Sequence, residues 1–386
     1  MDERQEIGHW FGPPRTLVLQ PTPLCNLSCS YCYLPHRTLS QRMPPEVLHA
    51  VASSAEKLTD RGGRIDIVWH GGEPLTVGVS RFAEMLAPFE SLRLQRRITH
   101  YVQTNAVLLN ERWCELLSGH GVRVGVSIDG PAPLNARRVD LRGQPSFARA
   151  LRGIRTLHDH AIPFSIITVV GADGIAQPEP LLDFLARLDP HSIGLNIEEL
   201  EGVNTTAPPI TPRQAEEFWA RVAAWSVQPG HLPVLRDVQR IANYLRLIRL
   251  GQHQAWGSRR LDPIPTIAWN GDVVLLSPEL AGITDQAYGD FIAGNVRDQS
   301  IPAMLATAHR LRYVREFMAG LRACRDTCTF WDFCRGAQAG NRYFEHGTFS
   351  ATETTYCRLT RQALITALAH TATKERHDTA AGPRDH

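Results

Sequence analysis

Short β-branched runs alternate with amphipathic helical patterns over the first half of the chain. Apolar residues recur every three or four positions in the segments 45–58, 79–89, 111–118, 147–158 and 179–188, which predicts helices. The β-branched runs between these segments predict six strands, beginning at Thr16, Arg64, His100, Val122, Phe164 and Ser192. Regular alternation of this kind predicts a parallel sheet with right-handed crossovers. Because six units are fewer than a closed eight-fold barrel needs, we expect an α/β fold of the partial (β/α)6 type, with its chemistry at the C-terminal strand ends.

The alternation stops near residue 205. Proline-flanked patterns then predict helices over 212–225 and 234–250, and Asn270-Gly271 predicts a type I′ turn in a hairpin over 266–276. The last residues lack any apolar period, which is typical of disorder. We therefore predict an N-terminal segment (1–14), a barrel (15–205), a helical linking region (206–265), a cysteine-containing domain (266–370) and a disordered tail (371–386).

Composition excludes several classes of protein. The 386 residues are 43% hydrophobic and 21% charged, which is globular composition and excludes a disordered chain or a coiled coil. The formal net charge is only +2, so the chain has no strong field for nucleic acid. No apolar stretch approaches the roughly 18 to 20 residues of a membrane span, and the charged N-terminus does not resemble a signal peptide. We expect a cytoplasmic protein without nucleic acid or membrane partners.

Seven of the eight cysteines fall into two groups. The first group is Cys25, Cys29 and Cys32, and the second is Cys324, Cys328, Cys334 and Cys357. Eight cysteines are too few for a disulfide scaffold of this length, and a reducing cytosol leaves them free for metals. The remaining cysteine, Cys114, lies in an amphipathic helix and is predicted to pack as a small apolar residue.

The first group has the composition of an incompletely closed metal site. Three thiolates on one short loop can hold three irons of a cubane cluster and leave the fourth iron without a protein ligand. Zinc is the alternative, and it would need a fourth ligand, for which His36 is the nearest histidine in sequence. The second group offers four thiolates, enough to complete the ligand shell of either a [4Fe-4S] cluster or a zinc ion.

The pattern C-x-x-x-C-x-aromatic-C after the first strand resembles the cluster loop of the radical S-adenosylmethionine (SAM) superfamily. The resemblance implies a [4Fe-4S] cluster whose open iron binds SAM and whose electron releases a 5′-deoxyadenosyl radical. It further implies that Glu73 of a Gly-Gly-Glu-Pro motif helps to hold the SAM amino group, that Ser127 meets the ribose, and that Arg138 pairs with the SAM carboxylate. The residues predicted around the cofactor are Tyr31, Gly71, Gly72, Glu73, Pro74, Gln103, Asn105, Ser127, Asp129, Arg138 and Asn196.

The C-terminal cysteines resemble the SPASM extension, whose members carry auxiliary clusters. The full SPASM pattern has seven cysteines for two clusters, but here the segment 277–282 has none, and Gln338 stands four positions after Cys334. The four cysteines that remain match the second auxiliary cluster, so the resemblance implies one auxiliary [4Fe-4S] cluster with four cysteine ligands.

Longer phrases, including LVLQPTPLCNLSCSYCYLP, VWHGGEPL, GLNIEELEGVN, YGDFIAGNV and HGTFSATETTYC, resemble the maturases of glycine-rich repeat modifying (GRRM) systems. That family implies radical abstraction of a side-chain β-hydrogen and a carbon–carbon crosslink to an aromatic residue, giving a three-residue cyclophane. The implied partners are a precursor peptide with a glycine-rich, aromatic-containing core and a reductant such as flavodoxin or ferredoxin.

The chain departs from the family pattern at some positions. Leu134-Asn135 replaces a usual His-Asp pair, Pro145 replaces a glycine, and Ser277 stands where family members have an aspartate. A base would have to come from another carboxylate, and we expect Glu201 or Glu279, with Glu198 as a further candidate. The alternatives on the same scaffold are a formylglycine-generating sulfatase maturase and a thioether-forming or epimerising maturase. A zinc-stapled binding module is the non-enzymatic alternative.

Overall fold

The computed structural model describes residues 3–206, 209–230, 232–336 and 338–370. One ten-stranded sheet organises these residues. The strands are β1 (Thr16–Leu19), β2 (Ile65–Trp69), β3 (Ile98–Thr104), β4 (Arg123–Ser127), β5 (Phe164–Val170), β6 (Ser192–Ile197), β7 (Val234–Leu235), β8 (Thr266–Ile267), β9 (Asp272–Val274) and β10 (Ile292–Asn295). The predicted tail, 371–386, lies outside the described residues.

The six predicted strands are confirmed, and they pair in parallel in chain order from β1 to β6. Two short strands lengthen this parallel sheet, because β8 pairs with β1 and β7 pairs with β6. The antiparallel strands β9 and β10 follow β8 at one end, and β7 forms the other end, so the sheet is open as predicted. The fold class, an α/β partial barrel, is therefore confirmed.

Helices cover the outer face of the barrel sheet and build most of the C-terminal half. They are α1 (Glu3–Trp10), α2 (Pro45–Thr59), α3 (Val79–Leu86), α4 (Glu90–Leu94), α5 (Glu111–Gly119), α6 (Phe147–Asp159), α7 (Ala172–Ala176), α8 (Pro178–Arg187), α9 (Pro212–Ser226), α10 (Arg236–Arg249), α11 (His253–Gly257), α12 (Ile301–Thr307), α13 (Arg312–Thr327), α14 (Trp331–Cys334) and α15 (Ala339–His346). A last helix spans 355–370 and contains a π-helical segment, Cys357–Gln362. No helix in the described part of the chain is long and apolar enough to cross a bilayer.

Burial alternates along the barrel strands. In β2, for example, Ile65, Ile67 and Trp69 are buried, while the residues between them are half-buried. This period of two leaves one face of the sheet packed on helices and the other face lining the barrel. Cys114 of α5 is fully buried in the apolar core, as the sequence predicts.

Two local predictions are wrong. The predicted helix 234–250 begins only at Arg236, because Val234 and Leu235 pair with Ser192 and Ile193 as β7. The hairpin between β8 and β9 has no type I′ turn, since Gly271 has a positive φ of 92° but Asn270 does not. Instead the Ala268 carbonyl accepts the N–H of Gly271, and the Ala268 N–H donates to the carbonyl of Asp272. The loop is therefore longer than a two-residue turn, and Gly271 is its left-handed residue.

Candidate active site at the mouth of the barrel

The three N-terminal cysteines lie on the loop that follows β1. The backbone holds this loop in place, since Cys25 N–H donates to the carbonyl of Arg37 (2.8 Å) and Ser28 N–H donates to the carbonyl of Val139 (2.7 Å). Cys29 is buried and the other two are half-buried, and all three are free thiols. Burial raises the pKa of the Cys25 thiol to about 12 and also raises the pKa of Cys29.

A buried guanidinium lies beside this loop. Arg138 donates to the Tyr31 hydroxyl (2.7 Å) and forms an ion pair with Asp129 (3.5 Å), and Tyr31 also donates to Asp129. Arg138 and Asp129 are both buried, and the positive charge of Arg138 lowers the pKa of Cys29 against the larger effect of burial. The structure thus joins three predicted cofactor residues, Tyr31, Asp129 and Arg138, in one network next to a cysteine.

The donor set on this loop suits an iron–sulfur cluster. Among the described residues, no group of three or more His, Cys, Asp or Glu side chains is arranged to hold a single metal ion. A [4Fe-4S] cubane differs from a single metal ion, because each cysteine binds a different iron and the three Sγ atoms need not converge on one point. Three thiols on one loop beside a buried cation match the anionic sulfur ligation of such a cluster.

The Gly-Gly-Glu-Pro motif after β2 joins two loops. Gly72 has a φ of 62°, and a Cβ there would lie 2.5 Å from the carbonyl oxygen of Thr22 and 2.6 Å from that of Leu24, so only glycine fits against the cysteine loop. Glu73 is buried, and its carboxylate accepts hydrogen bonds from the Thr104 hydroxyl (2.7 Å), from the N–H of Asn105 (2.8 Å) and from the N–H of Leu75 (3.1 Å). In this structure Glu73 therefore ties the ends of β2 and β3 together.

The next strand ends supply amide and hydroxyl groups. Gln103 donates to the Ser127 hydroxyl (2.8 Å), which links β3 with β4. Asn105 donates from its side chain to Asn26 of the cysteine loop (2.8 Å). These hydrogen bonds place three predicted cofactor residues around the same barrel mouth.

The loop after β4 contains the Leu134-Asn135 departure, and the structure shows how this loop is held. Asn135 is buried, and its side-chain oxygen accepts the N–H of Asp129 (3.1 Å). The backbone carbonyl of Asn135 also accepts the N–H of Arg138 (3.0 Å). The asparagine thus fixes the loop that presents Asp129 and Arg138.

The carboxylates after β6 separate into two environments. Glu198 is buried in a bidentate ion pair with Arg137, whose Nη2 lies 2.8 Å from the carboxylate. Its neighbour on the strand, Asn196, is exposed. β6 ends at Ile197 and the chain turns after Glu198. The side chains of Glu199 and Glu201 therefore lie in a different environment from that of Glu198. The structure therefore does not bring Glu198 together with the other two candidate bases.

Glu201 and Glu279 meet in a cluster with a third carboxylate, Glu199. Asn341 is fully buried and donates from its side-chain nitrogen to both Glu199 and Glu201, the latter at 3.2 Å. Ser277, at the position of the family's aspartate, donates to Glu279. Burial first, and then mutual repulsion, raises the pKa of Glu199 and Glu201 well above the ordinary value, and burial also raises that of Glu279. Carboxylates whose pKa values are raised in this way are typical of sites that take up and release protons.

A tyrosine–histidine pair adjoins this cluster, and the sequence gave no indication of it. The Tyr33 hydroxyl and His70 Nε2 lie 2.8 Å apart. Burial lowers the pKa of His70 to about 4, so its ring is neutral at pH 7. Burial, followed by the charges of Glu279, Cys32 and Glu201, raises the pKa of Tyr33. Tyr33 therefore lies between the cysteine loop and the carboxylates.

The four C-terminal cysteines converge among arginines. Arg342 is buried and donates to the Sγ of Cys324 (3.4 Å) and to the carbonyl of Phe349 (3.3 Å). The charges of Arg361 and Arg240 lower the pKa of Cys334, although burial raises it overall. Four thiolates on one cluster carry excess negative charge, so three nearby guanidinium groups suit such a ligand set.

Comparison with known proteins identifies the barrel. Residues 19–185 match the Radical SAM superfamily. The chain belongs to this superfamily. It is also 31% identical over 359 residues to the "Uncharacterized protein sll1766" of Synechocystis sp. (strain ATCC 27184 / PCC 6803 / Kazusa), a match that covers 90% of this chain and 89% of the relative. Membership implies SAM and a [4Fe-4S] cluster as cofactors.

Three further likenesses concern a sulfatase-maturating enzyme and two solved structures that contain a bound peptide. The "Serine-type anaerobic sulfatase-maturating enzyme" of Klebsiella aerogenes is 35% identical over 186 residues, 45% of this chain and 44% of that enzyme. The solved structure "Native anSMEcpe with bound AdoMet and Cp18Cys peptide" has a TM-score of 0.72 at 17% identity and covers 95% of this chain and 99% of that chain. Streptococcus suis SuiB bound to precursor peptide SuiA has a TM-score of 0.60 at 16% identity, covering 92% and 77%. At these low identities the two solved structures show only that this chain shares their fold.

Proposed function

We propose that this radical SAM protein is a maturase of a ribosomally made peptide and forms a carbon–carbon crosslink of the three-residue cyclophane type. SAM, with the cluster on Cys25, Cys29 and Cys32, supplies the 5′-deoxyadenosyl radical that removes one β-hydrogen from the substrate. The relatives named above act on or bind peptides according to their descriptions, which supports a peptide substrate.

The observation that carries the crosslinking proposal is the carboxylate cluster. Closing a ring onto an aromatic carbon releases a proton and an electron after the first hydrogen atom has left, so the peptide loses two hydrogens in total. Glu201 is buried beside Glu199 and Glu279 with a raised pKa, and the ionised form of such a carboxylate is a stronger base than a solvated one. We assign the proton to Glu201. Cys324, Cys328, Cys334 and Cys357 would hold an auxiliary cluster, which would supply an acceptor for the electron.

The contacts at the barrel mouth define the other roles. Arg138, with Asp129 and Tyr31, offers a buried guanidinium to the SAM carboxylate. Gln103 and Ser127 offer polar groups to the ribose. The ion pair between Arg137 and Glu198 fixes the wall between the loops after β4 and β6, and this pairing makes Glu198 a positioning residue rather than the base.

The proposal is tested with protein reconstituted under anaerobic conditions, SAM, a reductant and the precursor peptide encoded beside the gene. We expect a peptide that has lost two hydrogen atoms and shows a new aromatic–Cβ bond by NMR. Glu201→Gln should keep 5′-deoxyadenosine formation while crosslinking falls by about a hundredfold or more. Glu115→Gln, an exposed change on α5, is the matched control and should leave both unchanged. Unchanged peptide mass alongside abundant 5′-deoxyadenosine contradicts the crosslinking proposal.

Formylglycine formation is the second candidate, because the Klebsiella sulfatase-maturating enzyme matches nearly half of this chain. Conversion of a serine to formylglycine also removes two hydrogens, so mass alone does not separate the two reactions. The formylglycine product carries an aldehyde that reacts with a hydrazide probe, whereas a cyclophane does not. A hydrazide-reactive product would replace the crosslinking proposal with this one.

A further inference from the structure

A basic cavity lies beside Cys334. It has a volume of about 570 Å³ and is bounded by α10, by the segment 259–264 and by the last helix. Six arginines line it: Arg15, Arg240, Arg259, Arg260, Arg335 and Arg361. Such a concentration of one sign of charge is unexpected in a chain whose formal net charge is only +2.

These arginines lack carboxylate partners. Within the described ranges none of the six forms a salt bridge, and the Nε atoms of Arg335 and Arg361 are buried without a hydrogen-bond partner. The single acidic residue in the lining, Asp262, accepts instead from the backbone N–H groups of Arg15 (3.2 Å) and Ile264 (3.1 Å). Four of the six donate hydrogen bonds to neutral oxygens instead: Arg240 to the carbonyl of Cys334 (3.4 Å), Arg260 to that of Gly8 (3.2 Å), Arg335 to that of Gly257 (2.5 Å) and Arg361 to the Tyr356 hydroxyl (2.8 Å). Because these partners carry no negative charge, the guanidinium groups in this concave site favour an anionic ligand.

The cavity is part of a longer trough. A second cavity of about 300 Å³ shares four wall residues with it, namely Arg259, Arg260, Leu261 and Arg335. Aromatic side chains, including Trp256 in one cavity and Trp331 in the other, alternate with the arginines along the walls. An elongated site with both charged and apolar walls fits an extended peptide better than a single small anion.

The lining does not favour another metal cluster. Cys334 is the one cysteine among the lining residues of the two cavities, and Gln338 occupies the lining where the fuller SPASM pattern has a cysteine. Arginines attract carboxylates and do not ligate iron. The trough therefore adjoins the four-cysteine group, with which it shares Arg240 and Arg361, and Arg15, Arg259, Arg260 and Arg335 are the arginines of its other walls.

We infer that this trough, the arginine trough, binds a carboxylate-rich segment of the peptide substrate. The inference rests on the proposed function in one respect, that the substrate is a peptide. It adds a second contact for that peptide, at which acidic side chains pair with Arg259 and Arg260 while apolar side chains contact the aromatic walls. The acidic segment would then hold the rest of the peptide near the barrel.

The test is fluorescence anisotropy with reconstituted full-length protein and a labelled peptide of repeated Glu-Gly-Leu units. Peptides with Gln or Lys in place of Glu serve as probes of charge. We expect saturable binding of the Glu peptide alone, weakened by salt and weakened by about tenfold in the double variant Arg259→Ala/Arg260→Ala. The double variant Arg152→Ala/Arg155→Ala removes the same charge from exposed positions on α6 and should bind like the unchanged protein.

Three outcomes would overturn the inference. The first is equal binding of the Glu and Gln peptides, and the second is equal weakening of peptide binding by the two double variants. The third is complete displacement of the Glu peptide by inorganic phosphate when free glutamate binds as well as phosphate does. The last result would identify a small-anion site. Binding is measured without SAM or reductant, so its failure leaves the proposed chemistry standing. Conversely, peptide that binds in the trough but is never modified contradicts only the proposed function.

Discussion

The two cysteine groups of this radical SAM protein are built in different ways. The first places three thiols on a single loop after β1, close to polar strand ends that remain available to a small ligand. The second gathers four thiols from α13, its C-terminal end, α14 and the π-helical segment at Cys357, and it surrounds them with arginines. This difference in the number of thiols and in the surrounding charge supports our proposal of an open cluster that binds SAM at the first group and a closed cluster that exchanges electrons at the second.

The charged residues around the two cysteine groups also differ. Beside the first group, the charge of Arg138 faces an acidic partner, Asp129, at 3.5 Å. Beside the second group, Arg342 finds no acidic partner among the described residues and contacts Cys324 directly. The carboxylate cluster of Glu199, Glu201 and Glu279 lies near the first group, where chemistry on a substrate would release protons.

The largest expected effect comes from breaking the first group. Cys29→Ser should abolish 5′-deoxyadenosine formation and remove about four of about eight irons per chain, because an incompletely ligated cubane is lost. Iron analysis and product chromatography measure the two quantities. Cys114→Ser, a buried cysteine outside both groups, is the control and should keep all the iron. If the Cys29→Ser protein still cleaves SAM, the assignment of the SAM-binding cluster to the first cysteine group is wrong.

Breaking the second group should have a narrower effect. Cys357→Ser should remove the auxiliary cluster and stop crosslinking, while SAM cleavage continues at the first cluster. The π-helical segment that presents Cys357 is expected to relax, because such segments persist when a ligand or contact holds them. We would compare 5′-deoxyadenosine with modified peptide in single-turnover reactions. Equal loss of both products would show that the two groups are not functionally separate.

A smaller effect is expected from the arginine next to the second group. Arg342→Gln removes a buried positive charge beside Cys324 and should shift the auxiliary midpoint potential to more negative values, since a cation favours the reduced, more negative cluster. Arg342→Lys should restore most of the potential. Arg358→Gln, an exposed change next to Cys357 in sequence, should leave it unchanged. An unshifted potential in Arg342→Gln, measured by redox titration, would mean that the arginine does not tune the cluster.

The smallest effect concerns stability against pH. The pKa of Glu199 in the folded protein is raised by burial and by Glu279 and Glu345, with Asn341 and Arg361 acting in the opposite direction. A raised carboxyl pKa contributes stability that is complete below the unfolded pKa and is lost as pH rises through the folded pKa. Glu199→Gln should therefore stabilise the protein more at about pH 8 than at about pH 4, where the unfolded carboxyl is itself largely protonated. Thermal unfolding at both pH values measures this, and a stabilisation that does not grow with pH contradicts it.

The sequence predicted most of the barrel and the composition of both cysteine groups, because these depend on local pattern. Strands with alternating burial and helices with a three-to-four-residue period are visible within windows of a few residues. The two-residue strand β7 is too short to show a period, and only its pairing with Ser192 reveals it. The sequence predicted β8 as part of a hairpin, but its parallel pairing with Val18 of β1 had no local signal. The type I′ turn at Asn270 failed because neighbouring contacts, including Asn295 bonded to Asp272, shape the loop.

The candidate site was predictable in residue type and less so in its pairings. Polar groups at strand ends marked Asp129 and Glu201 in advance, and the family resemblance indicated Arg138. Contacts between residues far apart in sequence had no local signal, and these include Arg137 with Glu198 and Asn341 with Glu201. The arginines around the C-terminal cysteines and in the arginine trough come from separate segments, so their convergence emerges only in three dimensions.

Electron paramagnetic resonance of the reduced protein, with and without SAM, measures the difference between the two groups most directly. We expect two [4Fe-4S] signals, of which one changes on addition of SAM. That responsive signal should disappear in Cys29→Ser and persist in Cys334→Ser. A SAM-responsive signal that survives Cys29→Ser, or that vanishes only when Cys334 is replaced, would contradict the assignment of the open cluster to the N-terminal loop.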